Sequence, residues 1–92
     1  MKLIELFTRD NCVFCEKAKS DLNKRWRQGL SIISYDIQTH TYAKNDLMRR
    51  CEALGLTPKT VPQIFIDGKY IGGYNELVDY FDETNWEVSN GN

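Results

Sequence analysis

A chain of 92 residues makes one domain over residues 1–92, and one this short buries about 60 to 65% of the surface its unfolded form exposes. With 41% hydrophobic and 27% charged residues and no repeat or low-complexity tract, composition excludes wholesale disorder. Twelve basic against thirteen acidic residues give a net charge of −1, which excludes a global field drawing the chain to nucleic acid or to an anionic membrane, so neither partner is expected.

Lys2 to Phe7 is short and rich in branched and aromatic residues, and the turn-prone Thr8-Arg9-Asp10-Asn11 follows it; the pattern predicts a strand and then a loop. The apolar run is broken by Glu5 and has no basic leader, so it is no signal peptide. No stretch approaches the length of a membrane span, and the expected location is the cytoplasm. From Cys12 onward, Cys15, Ala18, Leu22 and Trp26 recur at steps of three and four, the mark of one helix face, with Gly29 as a stop. Leu30 to Ile37 alternates and predicts a second strand, parallel to the first because a helical crossover precedes it.

Gln38 to Asn45 is polar and reads as a loop. Leu47, Cys51 and Leu54 then mark a second amphipathic helix ended by Gly55, after which Pro58 keeps the chain extended. Gln63 to Asp67 and Tyr70 to Gly72 read as strands joined through Asp67-Gly68, a strong hairpin signal. Asn75 is the expected cap of a last helix carrying Leu77, Val78 and Phe81, and the tail is expected to fray from about residue 84. The order strand, helix, strand, helix, strand, strand, helix (βαβαββα) predicts an α/β domain with a mixed four-stranded sheet flanked by helices.

Three cysteines are an odd number for a disulfide scaffold and fit a reducing compartment with one reactive pair. Cys12-Val13-Phe14-Cys15 supplies what a thiol–disulfide exchanger needs, one sulfur to attack and a second to resolve the mixed disulfide. Cys12 falls where the first helix begins, and free N–H groups with the positive end of the helix dipole stabilise a thiolate there. Such placement lowers a thiol pKa from about 8.5 into the range of roughly 3.5 to 7.5, and Arg9 lies three residues upstream to add a cation. Cys15 shares the inward face with Ala18 and Leu22. This placement makes Cys12 the nucleophile and Cys15 the resolver. A lone Cys-x-x-Cys is equally half of a zinc site; the remaining candidate ligands, Cys51 and His40, form no second close pair. Cys51 reads as a small core hydrophobe and His40 as a solvated loop residue.

Three segments in order resemble the glutaredoxin family of the thioredoxin fold: Phe7 to Cys15, with the basic residue and the cysteine pair; Thr60-Val61-Pro62-Gln63-Ile64-Phe65-Ile66, similar to the family's cis-proline segment; and Ile71-Gly72-Gly73-Tyr74-Asn75-Glu76-Leu77, similar to its diglycine turn into the last helix. The family's usual pair encloses Pro and Tyr. Val13 and Phe14 stand there instead, a pattern most similar to bacteriophage glutaredoxins that carry Val and Tyr, and Phe14 lacks the hydroxyl of Tyr. The chain also resembles the small ribonucleotide-reductase redoxins fed by thioredoxin reductase, without their Gln inside the pair.

The resemblance implies a glutathione–disulfide oxidoreductase that reduces protein disulfides and glutathione mixed disulfides as a monomer, with glutathione as co-substrate, no metal, and ribonucleotide reductase as one client. It implies a cis peptide at Val61-Pro62, a backbone at Thr60 and Val61 that meets the substrate, a glycyl carboxylate held by Arg9 and Lys59 with help from Arg49 or Arg50, and a γ-glutamyl end held at Gly73, Tyr74 and Asn75. Phe14, inside the motif, contacts substrate in this reading. A second class of function is also implied by some relatives: an iron–sulfur cluster carrier bridged by Cys12 and glutathione.

Overall fold

The computed structural model describes residues 2–25 and 29–86. The elements run β1 (Lys2–Thr8), α1 (Val13–Asn23), β2 (Leu30–Asp36), α2 (Thr41–Ala53), β3 (Gln63–Ile66), β4 (Lys69–Gly72) and α3 (Tyr74–Glu83), the order expected from the sequence. They build one mixed sheet in the order β2-β1-β3-β4. β1 pairs parallel with β2 through the α1 crossover, and antiparallel with β3, which pairs antiparallel with β4.

Period-two alternation splits the core between the two sheet faces. Ile4 and Leu6 of β1 and Ile64 and Ile66 of β3 face Ala18 and Leu22 of α1 and Leu77 and Phe81 of α3. Phe7 and Phe65 point the other way, onto Ala43, Leu47 and Cys51 of α2. Each such side chain removed from water stabilises the fold by about 1.5 to 3 kcal/mol. Glu5 lies on the α2 face as well, buried, and its carboxylate takes both guanidinium nitrogens of Arg50 at 2.9 Å each.

Several boundaries differ from expectation, each for a local reason. α1 ends at Asn23; Trp26, placed on its apolar face, lies outside the described residues. α2 begins at Thr41, inside the segment read as a loop to Asn45, because Ala43 supplies the buried position of a first turn whose other residues face solvent. Leu54 is not on the buried face but is the helix's C-cap and exposed. Beyond it Gly55, at φ +74°, closes a Schellman motif in which the Gly55 N–H donates to the Glu52 carbonyl and the Leu56 N–H to that of Cys51.

The β3–β4 turn is as predicted: Asp67 and Gly68 both have positive φ, the arrangement that matches strand twist in a two-residue hairpin. Trp86, in the tail expected to fray from about residue 84, is 8% exposed instead. Its backbone N–H donates to the Phe81 carbonyl, its backbone carbonyl accepts from Arg25 Nε, and its ring packs edge-on against Phe81.

Candidate active site

The loop after β1 turns on Asn11, which adopts the left-handed conformation that Asn tolerates (φ +57°), and delivers Cys12 to the N-cap of α1. Cys12 caps the helix with its sulfur, which accepts the Cys15 N–H at 3.1 Å. The first intrahelical bond, from the Glu16 N–H to the Cys12 carbonyl, spans 3.2 Å. Val13 occupies the first helical position, where the family's usual pair carries proline. The two cysteines are joined as a disulfide with Cα atoms 5.2 Å apart. Cys15 is buried at 1% exposure beneath the helix, whereas Cys12 is half-buried at the surface.

Facing the pair is the segment between α2 and β3. The Val61-Pro62 peptide is cis, and the Val61 carbonyl oxygen lies 3.6 Å from Cys12 Sγ. Grooves open on either side of this contact and share Thr60 and Val61. The first, of about 180 Å³, is rimmed by Arg9, Lys44 and Lys59 over Ile37, Leu47 and Met48. The second, of about 280 Å³, is lined by Phe14, Pro62, Gly73, Tyr74, Asn75 and Glu76. Nine of the binding residues anticipated from the sequence line one groove or the other, and the two grooves meet at Thr60 and Val61, whose Val61 carbonyl is the group in contact with Cys12.

The second groove has an aromatic wall. Phe14, 52% exposed, meets Tyr74 with ring centroids 5.8 Å apart, and Lys17 Nζ sits 5.4 Å from the Phe14 centroid. The Tyr74 hydroxyl donates to Asp21 Oδ2 at 2.7 Å, and that bond holds its phenol pKa above the ordinary value while tying α3 to α1. Its floor is the α3 start. The N-cap is Gly73 rather than Asn75, because Glu76 Oε1 accepts the Gly73 N–H at 2.8 Å and fixes the helix start two residues earlier. Gly72 has φ +120°, and a Cβ there would meet Glu76 Cγ at 2.9 Å, so both backbone and space require glycine.

Two cations move in rank. Arg50 is committed to Glu5, which raises its pKa, and to Asp46; Arg49 also pairs with Asp46. Neither lines the first groove. Lys44, which falls in the segment whose polarity reads as a loop, does so one helical turn after the α2 N-cap. Its signal in the sequence was visible only once Ala43 and Leu47 are read as one buried stripe. Cys51 is fully buried, and burial pushes its thiol pKa up. His40 is exposed at the α2 N-cap. Among the described residues no three His, Cys, Asp or Glu side chains gather as a metal-holding group. A larger cleft of about 520 Å³ at the N-terminal end of α2, around Tyr35, His40 and Tyr42, includes neither paired cysteine nor any anticipated binding residue.

The glutaredoxin family model matches residues 4–71, from β1 into β4. The chain belongs to the glutaredoxin family. Glutaredoxin 3 of Escherichia coli K12 is 34% identical over 77 residues, covering 84% of this chain and 83% of that protein. Among solved structures, reduced Escherichia coli glutaredoxin superposes with a TM-score of 0.74 at 29% identity, covering 90% and 96% of the two chains. A buckwheat glutaredoxin–glutathione complex shares the fold, with a TM-score of 0.68 at 19% identity over 90% of this chain and 71% of that one. This glutaredoxin is thus a thiol–disulfide oxidoreductase with Cys12 and Cys15 as its disulfide-forming pair. No helix among its described residues is long and apolar enough to cross a membrane.

Proposed function

We propose that this glutaredoxin is glutathione-dependent and reduces protein–glutathione mixed disulfides and protein disulfides, with Cys12 as nucleophile and Cys15 as resolver. The observation that carries the reading is that a cationic groove and a helix-start groove share Thr60 and Val61, and the Val61 carbonyl lies 3.6 Å from Cys12 Sγ. A glutathione-sized ligand has an anionic end for each. Arg9, Lys44 and Lys59 suit a glycyl carboxylate, and the free N–H groups at the start of α3, beside Tyr74 and Asn75, suit the γ-glutamyl carboxylate. The glutathione held by the buckwheat protein of the same fold supports this choice.

In the first step the Cys12 thiolate attacks the glutathionyl sulfur of a mixed disulfide. That S–S bond breaks, the client thiolate leaves and takes a proton, and a Cys12–glutathione disulfide forms. A second glutathione thiolate then attacks this bond, giving oxidised glutathione and regenerating the Cys12 thiolate. With a protein disulfide, the Cys15 thiolate attacks the mixed disulfide at Cys12 instead, and the bond drawn between the two residues results. The helix start stabilises the leaving Cys12 sulfur through the Cys15 N–H at 3.1 Å. A cytoplasmic location, a monomeric state and ribonucleotide reductase as one client belong to the same reading and rest on family resemblance.

The test is a pair of serine variants assayed with glutathione as donor. Cys12→Ser abolishes both reactions, whereas Cys15→Ser keeps deglutathionylation and loses dithiol-dependent reduction of protein disulfides. Full dithiol reduction by Cys15→Ser would reverse the assignment, and equal turnover with thioredoxin reductase in place of glutathione would remove the donor.

A further inference from the structure

The segment 56–61, which carries the Val61 contact, belongs to no helix or strand, so no ladder of backbone bonds sets its height above Cys12. A side chain from β3 does. Gln63 is buried, and its Nε2 donates to the Thr60 carbonyl at 2.9 Å. Its Oε1 accepts the Tyr70 hydroxyl at 2.6 Å. The orientation of this amide is decided by its partners, because a carbonyl can only accept and the remaining oxygen must then face a donor. Tyr70 is well placed as that donor: its ring packs edge-on against Phe65, centroids 5.3 Å apart, and burial raises its phenol pKa, which keeps the proton on the oxygen.

Apart from the contact with the Cys12 sulfur, this is the one side-chain hydrogen bond to residues 57–61 among the described residues. Glutamine suits the place because one end donates and the other accepts; glutamate would set an oxygen against the Thr60 carbonyl, and an apolar residue would leave both partners unpaired.

We propose that Gln63, held by Tyr70, is a positioning residue that fixes the Thr60–Val61 backbone at the height where a substrate chain docks beside Cys12. The inference rests on the substrate cradle assigned under the proposed function. It predicts an effect on docking rather than on sulfur chemistry, since neither side chain touches Cys12.

The experiment uses a glutathionylated peptide, glutathione in excess, and the variants Gln63→Met, Tyr70→Phe and their combination. Each single change should raise KM about three- to tenfold and leave kcat within about twofold. The combination should be no worse than Gln63→Met, because Tyr70 acts through Gln63. Unchanged KM in the folded single variants, a fall in kcat alone, or additive effects in the combination would overturn the proposal. Should Gln63→Met fail to fold, Tyr70→Phe carries the same split alone. If the unaltered protein turns over no glutathionylated peptide, the proposed function fails separately. Backbone amide chemical shifts then read the relay without substrate: those of Thr60 and Val61 should move in Tyr70→Phe, and unchanged shifts would overturn it.

Discussion

Lys44, Arg49 and Arg50 show how little a charge's place in the sequence says about its role until its partners are known. All three sit on α2, yet Arg50 is spent on Glu5, Arg49 on Asp46, and Lys44 alone rims the groove beside Arg9 and Lys59. An exposed cation opposite a carboxylate contributes up to about 1 kcal/mol, or roughly a fivefold change in an equilibrium constant. Lys44→Ala should therefore raise KM for a glutathionylated peptide about two- to fivefold, with the difference shrinking in high salt, while Arg49→Ala changes KM by less than half that. Equal effects from the two variants would show that the groove does not read charge at Lys44. The site's other members were legible because their chemistry is local: a cysteine pair at a helix start, a proline segment, a diglycine turn. Gln63 and Lys44 were not, because their roles depend on contacts with Thr60 and with the groove, and neither contact leaves a spacing pattern in the chain.

At the scale of elements, periodicity found every helix and strand but placed several ends wrongly. Caps explain most of the errors. Gly73, with its N–H taken by Glu76, caps α3 in place of Asn75, and Ala43 extends α2 backward into what polarity marks as loop. Glu5 breaks the apolar run of β1 and would read as a solvent-facing position, yet it is 7% exposed because α2 covers that face of the sheet and its Arg50 pairs with the carboxylate. Removing Arg50 leaves that carboxylate buried without its cation. Arg50→Met should lower the unfolding free energy by about 2 to 3 kcal/mol in urea denaturation, less than for a fully buried pair because the guanidinium is 32% exposed. Glu5→Leu combined with Arg50→Met should recover most of the loss. A double variant as unstable as the single would mean that the stranded Glu5 carboxylate is not the source of the loss.

The whole molecule stacks α1 and α3 on one face of the sheet and α2 on the other, and the redox pair stands at the end of the strand, β1, that both faces share. Burial raises the Cys51 and Tyr70 pKa values above their ordinary values, and a hydrogen bond to Asp21 raises that of Tyr74. In each case the folded state holds the proton more tightly than the unfolded state does. The stability these groups contribute is therefore complete below the ordinary values and is lost as pH rises through the raised ones. Urea midpoints should fall above about pH 9 and hold steady from pH 6 to 8; Cys51→Ala should flatten the thiol's share of the slope, and an unchanged slope in that variant would contradict it. Chemistry and stability thus make opposite demands on cysteine, one buried and protonated, the other ionised at a helix start. Titrating the fully reduced protein by thiolate absorbance, with Cys15→Ser and Cys51→Ala to isolate a single thiol, separates them. Ionisation of Cys12 well below the free-thiol value of about 8.5 is expected, and an ordinary alkaline transition at Cys12 would contradict the mechanism at its first step.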